Sequence, residues 1–270
     1  MHTLRSIATA APLALASLAI SGLALHAASL EPLRAHCSIG PSEYSDEFSI
    51  RIYQEGDQGD CDGRRHCSSN FSHDPFSRLT GITRADLSRD GASLTATMAA
   101  EAGTFTCSGK VHEGELYGNS VFTPDQAFVD RMEHLGFTGY TSEKLEAYAF
   151  LDVNSAWVRS IQQTDVKGIT EDNLIALRIF KVDPSYIAAI TALGYPLPDA
   201  DKLIALRVQR VDPEEVRQIR AMGYQPSLDD LIQIRIFHIT PDFIRKMQDR
   251  GFKDLTLAKL VQIKIFKLDE

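Results

Sequence analysis

One basic residue recurs at the same place in four successive segments of the C-terminal half of the chain. These residues, called the cation column below, each follow an apolar run such as Leu-Ile-Ala-Leu and are Arg178, Arg207, Arg235 and Lys264. Four evenly spaced charges could bind an extended anionic partner. The alternative is a series of ion pairs, on the surface or between repeats, with Asp172, Asp201 and Asp230, each contributing about 0–1 kcal/mol. The sequence favours the ion pairs and leaves the cation column as the candidate binding site.

A second concentration of reactive side chains lies at residues 57–75. Asp60, Asp62, His66 and His73 could serve a hydrolase, although no nucleophile is tied to them. Asp57, Asp60, Asp62 and Gly63 resemble the start of a calcium loop, but Arg64 follows and no Glu occupies the twelfth position. A loop closed by a turn at Asp74-Pro75 explains the stretch better, so a hydrolase remains the alternative function.

All four cysteines of the chain precede residue 108, and an even number in an exported protein predicts two disulfides. Three pairings are possible; the sequence favours Cys61–Cys67 across a short loop, with Cys37–Cys107 joining the two ends of the domain. A zinc site made by Cys61, His66, Cys67 and His73 is the competing interpretation. Five residues separate Cys61 from Cys67, which is a poor match to the close ligand pairs of zinc sites. We therefore predict no metal and no cofactor.

Composition excludes some classes of function. The 270 residues include 28 Lys plus Arg and 36 Asp plus Glu, for a net charge of −8, whereas nucleic-acid binders usually carry a basic excess. There is no glycine-rich phosphate loop and no Gly-x-Ser-x-Gly elbow. No catalytic residue is assigned, and the sequence favours a protein that is not an enzyme.

The N-terminal segment has the pattern of a secretory signal. Arg5 precedes an uncharged, alanine- and leucine-rich stretch that ends in Ala27-Ala28. Residues 1–28 are therefore predicted to be a cleaved signal peptide, which places the protein in the periplasm or outside the cell. The alternative is an uncleaved anchor, since the stretch is close to the roughly 20 residues that span a bilayer. Membrane association is expected only in that case.

The pattern of residues 29–121 predicts a small antiparallel β domain braced by disulfides. Phe48, Ile50 and Ile52 alternate with polar residues, as do the apolar residues of 94–98 and 105–109. Glycines at 103, 109, 114 and 118 suit a hairpin with close backbone approaches. Residues 55–75 show little periodicity, and we predict a long loop there.

Residues 122–270 form a repeat, which is the clearest signal in the sequence. Residues that start helices recur at intervals of 29, 29, 29 and 28; they are Asp125, Asn154, Asp183, Asp212 and Thr240. A second helix start follows each of these, at Thr141, Thr170, Asp199, Ser227 and Thr256. Glycines end the first helix of four units, with Asp165 in the second. We predict a short α-solenoid of five helix-turn-helix units, 125–153, 154–182, 183–211, 212–239 and 240–268.

A leucine-rich repeat is the competing interpretation of this period. Leu174, Leu177, Ile179 and Val182 fit its spacing, and that fold would put a strand where we place the second helix. The ladder position, however, holds Val, Ile or Leu rather than Asn or Cys, and capping residues precede the segment. The sequence favours helix pairs.

The units resemble a tandem repeat of bacterial envelope proteins, written LGY…DLIALRI…VTPEFI. The matching residues are 193–195, 201–207 and 239–244, and residues 103–128 resemble the β segment that often precedes that repeat. Together the likeness covers about residues 94–268. Some members attach the repeat to membrane metallopeptidases of the antirepressor-sensor type. Here His112-Glu113 lacks the second histidine of His-Glu-x-x-His, so the resemblance implies an envelope location and no activity.

These observations predict an α+β protein with a small antiparallel β domain followed by the α-solenoid. The predicted function is an exported, non-catalytic interaction module. Its partner would be an envelope protein or peptide bound through the repeat surface, with no role for nucleic acid.

Overall fold

The computed structural model describes residues 30–42, 46–53 and 68–268 and has an α+β architecture: an antiparallel sheet followed by ten helices. The sheet has six strands in the order β3-β2-β1-β6-β5-β4, and every neighbouring pair is antiparallel. The strands are β1 Leu33–Pro41, β2 Glu47–Tyr53, β3 Ser68–Pro75, β4 Ser93–Ala100, β5 Gly103–His112 and β6 Glu115–Pro124. The predicted strand patterns around residues 50, 96 and 107 are thereby confirmed.

The Cys37–Cys107 disulfide is confirmed and joins two strands that are not neighbours. Cys37 lies in β1 and Cys107 in β5, with β6 between them, yet their Cα atoms are 6.1 Å apart. Two strands that flank a third in a flat sheet would be roughly 9.6 Å apart. Gly109 and Gly118 face each other where β5 meets β6, and a Cβ on either would overlap the other strand's backbone. This glycine pair lets the strands approach closely beside the disulfide. Cys61 and Cys67 lie outside the described residues.

The predicted loop over residues 55–75 is wrong in its last part. Ser68–Pro75 is strand β3, which pairs with β2 along its whole length and shifts register between Phe48 and Ser49. Backbone hydrogen bonding to a neighbour defines this edge strand. Its polar sequence shows little of the period-two pattern from which strands are recognised, so propensity alone pointed to a loop.

Ten short helices follow the sheet in a repeat-like arrangement of pairs. They are α1 Gln126–His134, α2 Ser142–Leu151, α3 Ser155–Gln162, α4 Glu171–Ile179, α5 Pro184–Thr191, α6 Ala200–Val208, α7 Pro213–Ala221, α8 Leu228–Ile236, α9 Pro241–Asp249 and α10 Leu257–Ile265. Every predicted start residue is the N-cap of its helix, and each side chain accepts a backbone hydrogen bond from the first turn. The leucine-rich repeat alternative is wrong, because the segments in question are helical.

The second helices of consecutive pairs contact one another in the order α2, α4, α6, α8 and α10. Their apolar residues are buried in one continuous core that also includes the sheet. The first helix of four pairs ends at a glycine with φ between 82° and 91°, and Asp165 takes this place in the second pair with φ 60°. A left-handed residue at this position is the common way to end a helix.

The sheet covers the first helix pair. Phe150 of α2 is 3% exposed and packs edge-on against Phe105 of β5, with ring centroids 5.1 Å apart. Arg78 donates two hydrogen bonds of 3.0 Å to the carbonyls of Ala149 and Phe150. Glu101, in the β4–β5 turn, accepts hydrogen bonds of 2.7 and 2.6 Å from the backbone and side chain of Ser155 at the start of α3.

One half-buried carboxyl in α2 makes the stability of the protein depend on pH. Burial, and then the neighbouring Glu143, raise the pKa of Glu146 in α2 from 4.5 to about 7. The raised pKa means that the folded protein favours the neutral form of this carboxyl. The contribution of neutral Glu146 to the free energy of unfolding is therefore fully present below pH 4.5 and is lost as the pH rises through 7. We expect Glu146→Gln to stabilise the protein at pH 8 by about 1–2 kcal/mol, a figure reduced for partial exposure, and to change little at pH 4.

Thermal unfolding at both pH values measures this effect. Glu133→Gln is the control, because that side chain is exposed and does not contribute to the pKa shift of Glu146, so it should alter stability by less than about 0.5 kcal/mol. An equal gain from Glu146→Gln at pH 4 and pH 8 would contradict the ionisation argument.

Candidate interaction surface

The cation column joins consecutive second helices. The Nε atom of Arg178 donates to the carbonyl of Leu151, Arg207 Nε to Phe180, and Arg235 Nε to Gln209, at 2.9, 2.8 and 3.2 Å. Each acceptor lies at the C-terminal end of the preceding second helix, where backbone carbonyls lack partners inside their own helix. The column therefore caps one helix from the next and places the C-terminal ends of neighbouring second helices side by side.

The same cations also contact the first helix of their own pair. Three of them stack on aromatic rings: Arg178 on Trp157, Arg207 on Tyr186 and Lys264 on Phe243, at 5.3, 4.5 and 4.1 Å from the ring centroids. Glu215 occupies the equivalent place in the fourth pair and accepts from Arg235 at 2.5 Å. Burial raises the pKa of Tyr186 to about 12, so its phenol is neutral at physiological pH beside Arg207.

These contacts place the cation column partly inside the structure. Its four side chains are all half-buried, and the predicted acidic partners are wrong. Arg178 pairs with Asp152 at 2.8 Å rather than with Asp172. Asp172 instead pairs with Lys144, and Lys202 pairs with Asp229 in an equivalent bridge between later units. The pairs made by Arg178, Lys144 and Lys202 lie between units, whereas Arg235 pairs with Glu215 within its own unit.

Beside the cation column lies a row of exposed apolar side chains that the sequence analysis did not single out. Each member is the last residue of α4, α6, α8 or α10; the members are Ile179, Val208, Ile236 and Ile265, 51%, 43%, 49% and 53% exposed. We call them the apolar row. Isolated exposed apolar residues are ordinary, but one at the same place in four consecutive units forms a continuous feature. The signal was present in the sequence as the residue after each column cation.

A second row of charges lies two residues further on. We call it the basic row; it consists of Lys181, Arg210, His238 and Lys267, all of them exposed. Each has a positive φ of 52° or 53°, a left-handed conformation that costs a residue other than glycine about 1 kcal/mol or more. These four side chains form no ion pair with any residue that the structure describes.

The first unit differs from the other four at both rows. Phe150, which is equivalent to the apolar row, is covered by the sheet, and Asp152 takes the place of a basic residue with φ 53°. Basic residues thus occupy this strained position in the four units whose apolar residue is open to solvent. Cations at a helix C-terminus are favoured by the helix dipole, and Asp152 shows that the fold does not demand one there.

Most of the alternative site predicted at residues 57–75 lies outside the part of the chain that the structure describes. Asp57, Asp60, Asp62 and His66 lie outside the described residues, and His73 is described only as part of strand β3. Within ranges 30–42, 46–53 and 68–268, no three His, Cys, Asp or Glu side chains are placed to hold a metal ion. No helix among these residues is long and apolar enough to cross a membrane.

Comparison of the chain with protein-family models, curated proteins and solved structures finds no match. The geometry of the chain's own residues is therefore the basis for assigning a function.

Proposed function

We propose that the protein is an exported, non-catalytic interaction module that binds an envelope protein or peptide. In this proposal the ten helices act as a five-unit α-solenoid, and the β domain closes its N-terminal end. Solenoids present extended surfaces built from equivalent positions of successive units. The covering of Phe150 by Phe105, and the bonds from Arg78 to α2, support the capping role of the sheet.

The observation that carries this proposal is the apolar row. Four equivalent aliphatic side chains, each about half exposed, end four neighbouring helices on the same edge of the second-helix layer. Exposed apolar surface bounded by charged residues marks interaction sites in soluble proteins. The cation column, which we predicted to be the binding site, would then support this surface by fixing the helix ends that present it.

Two further features support the proposed location. The Cys37–Cys107 disulfide indicates an oxidising compartment outside the cytoplasm, and residues 1–28 have the pattern of a signal peptide. The resemblance to bacterial envelope repeats points to the same place. A hydrolase with a site at residues 57–75 is the other candidate, and no described contact favours it.

Site-specific cross-linking tests the proposed function. A photoreactive residue is introduced in place of Ile236 in the apolar row, and in a second variant in place of Lys246, which is exposed on α9. After irradiation of an envelope fraction, we expect a discrete adduct at position 236 and none at 246. The adduct should be identifiable by mass spectrometry and should be lost when unlabelled protein is added in excess. Equal labelling at the two positions would contradict the proposal.

A further inference from the structure

The apolar row and the basic row lie together, and their chemistry specifies a ligand. The two rows are two residues apart in each unit, at the end of a second helix and just beyond it. A partner that covers the apolar row must therefore lie beside the basic row. We infer that the ligand is an extended acidic peptide segment with an apolar side chain at every third residue, an inference that rests on the proposed function.

The spacing of the units carries the periodicity. Packed helices lie about 8–10 Å apart, and hydrogen bonds of 2.8–3.2 Å between helix ends hold the second helices in contact. One turn of polyproline II contains three residues and spans about 9.3 Å, so every third side chain lies on the same side and meets one successive unit. Three residues of a β-strand span about 10 Å, but every third side chain then falls on alternating faces. An extended ligand with this period therefore has the polyproline II conformation.

The width of the apolar row favours an extended segment over a helix. An amphipathic helix needs a groove that covers an apolar face of about 100° or more. In the third unit Val208 is followed by Gln209 and then Arg210, so the apolar surface is one aliphatic side chain wide there. In the other three units a phenylalanine separates the two rows, and Phe180 and Phe266 are 37% and 67% exposed. The single aliphatic side chain at Val208 is narrower than the apolar face of a helix, so it fits an extended chain better.

The charge of the basic row sets the charge of the ligand. Lys181, Arg210 and Lys267 form no ion pair with a described residue, so their three charges are available to a partner, and His238 provides a polar ring at the fourth position. The first unit, whose apolar residue is covered by the sheet, carries Asp152 at the same place. Basic side chains therefore occur only in the units whose apolar residue is exposed. Complementary charge accelerates association and selects the partner more than it adds affinity.

Synthetic peptides binding to the full chain test this inference, with fluorescence anisotropy as the readout. The first peptide has twelve residues, with leucine at every third position and acidic residues or glycine between. Three other peptides compete with it. One has the same composition with leucine at every second position and tests the period; one has lysine in place of the acidic residues and tests the charge. The third is a helical peptide with leucine at every seventh position and tests the conformation. We expect each rival to bind at least about tenfold more weakly. A rival that binds as well as the first peptide overturns the inference.

Paired substitutions locate the binding on the surface. We expect Lys181→Gln with Arg210→Gln to weaken binding about five- to tenfold and to reduce its salt dependence. Ile179→Ser with Ile236→Ser should weaken it at least about tenfold through lost apolar burial. The matched control is Arg217→Gln with Lys246→Gln, which removes two exposed charges from first helices and should change binding less than about twofold. Equal effects of the control and the basic-row pair overturn the inference.

Two outcomes separate this inference from the proposed function. If a protein adduct forms at position 236 while no acidic peptide binds, the interaction module stands and the ligand chemistry is wrong. If vesicles containing an anionic phospholipid bind the protein and the peptides do not, the ligand chemistry is wrong and an anionic lipid surface takes its place. If neither an adduct nor peptide binding is found, both proposals fail.

Discussion

Replacing both Cys37 and Cys107 with alanine should destabilise the protein by about 4 kcal/mol. The disulfide closes a chain segment of 70 residues, and the entropy of loop closure in the unfolded chain gives about this value. Both sulfur-bearing residues are buried, at 2% and 0% exposure, so the replacement also removes packed atoms from the core. Chemical denaturation followed by circular dichroism measures the loss.

Reduction of the unaltered protein provides the comparison. A thiol reductant should lower the stability of the wild-type protein more than that of the double variant, in which only the predicted Cys61–Cys67 bridge, with its much shorter loop, can be reduced. If the reduced wild-type protein unfolds at the same denaturant concentration as the oxidised one, the constraint on the unfolded chain is not the source of stability.

The second large effect is expected for Arg207→Gln combined with Arg235→Gln in the cation column. The change removes two charge-assisted bonds to helix-end carbonyls, the stacking of Arg207 on Tyr186 and the pairing of Arg235 with Glu215. We expect a loss of about 3 kcal/mol, since a hydrogen bond to a charged group contributes about 1.5–3 kcal/mol and solvent screening reduces the ion-pair share. Denaturation monitored by the fluorescence of Trp157, the single tryptophan, measures it.

The control for this prediction is again Arg217→Gln with Lys246→Gln, expected to shift stability by less than about 0.5 kcal/mol. At a temperature where both proteins are folded, the column variant should bind the acidic peptide as the wild type does. Unchanged stability together with weaker peptide binding would instead make the cation column the ligand site.

Helix starts and ends were readable from the sequence because capping is local. The side chain of Thr170, for example, accepts a hydrogen bond from the backbone N–H of Asn173, and the side chain of Asn173 accepts one from the backbone N–H of Thr170. The unit length, the N-caps and the glycine ends depend on such short-range chemistry. The antiparallel sheet was likewise visible wherever one face of a strand is buried and alternation follows.

Contacts between units could not be read in the same way. Arg178 bonds to Leu151, 27 residues earlier, and that contact depends on how two helices pack. Sequence periodicity located Arg178 in the column but predicted a surface ion pair for it. In the structure Arg178 is half-buried and caps the end of the preceding second helix. The basic row was missed for another reason. A left-handed backbone is recognised in a sequence by glycine, and these positions hold residues such as Lys181 and Arg210 instead.

Three hydrogen bonds between second helices run in the same direction, from a column arginine of the later unit to a carbonyl at the end of the earlier helix. Phe180 and Gln209, which end neighbouring helices, accept from the column arginines 27 and 26 residues later. Removing residues 183–211 as a block would therefore bring Arg235 to the carbonyl of Phe180, an acceptor equivalent to the one it lost. The proposed binding edge could thus gain or lose length by whole units through gene duplication or deletion, because each new junction would already have its donor and acceptor.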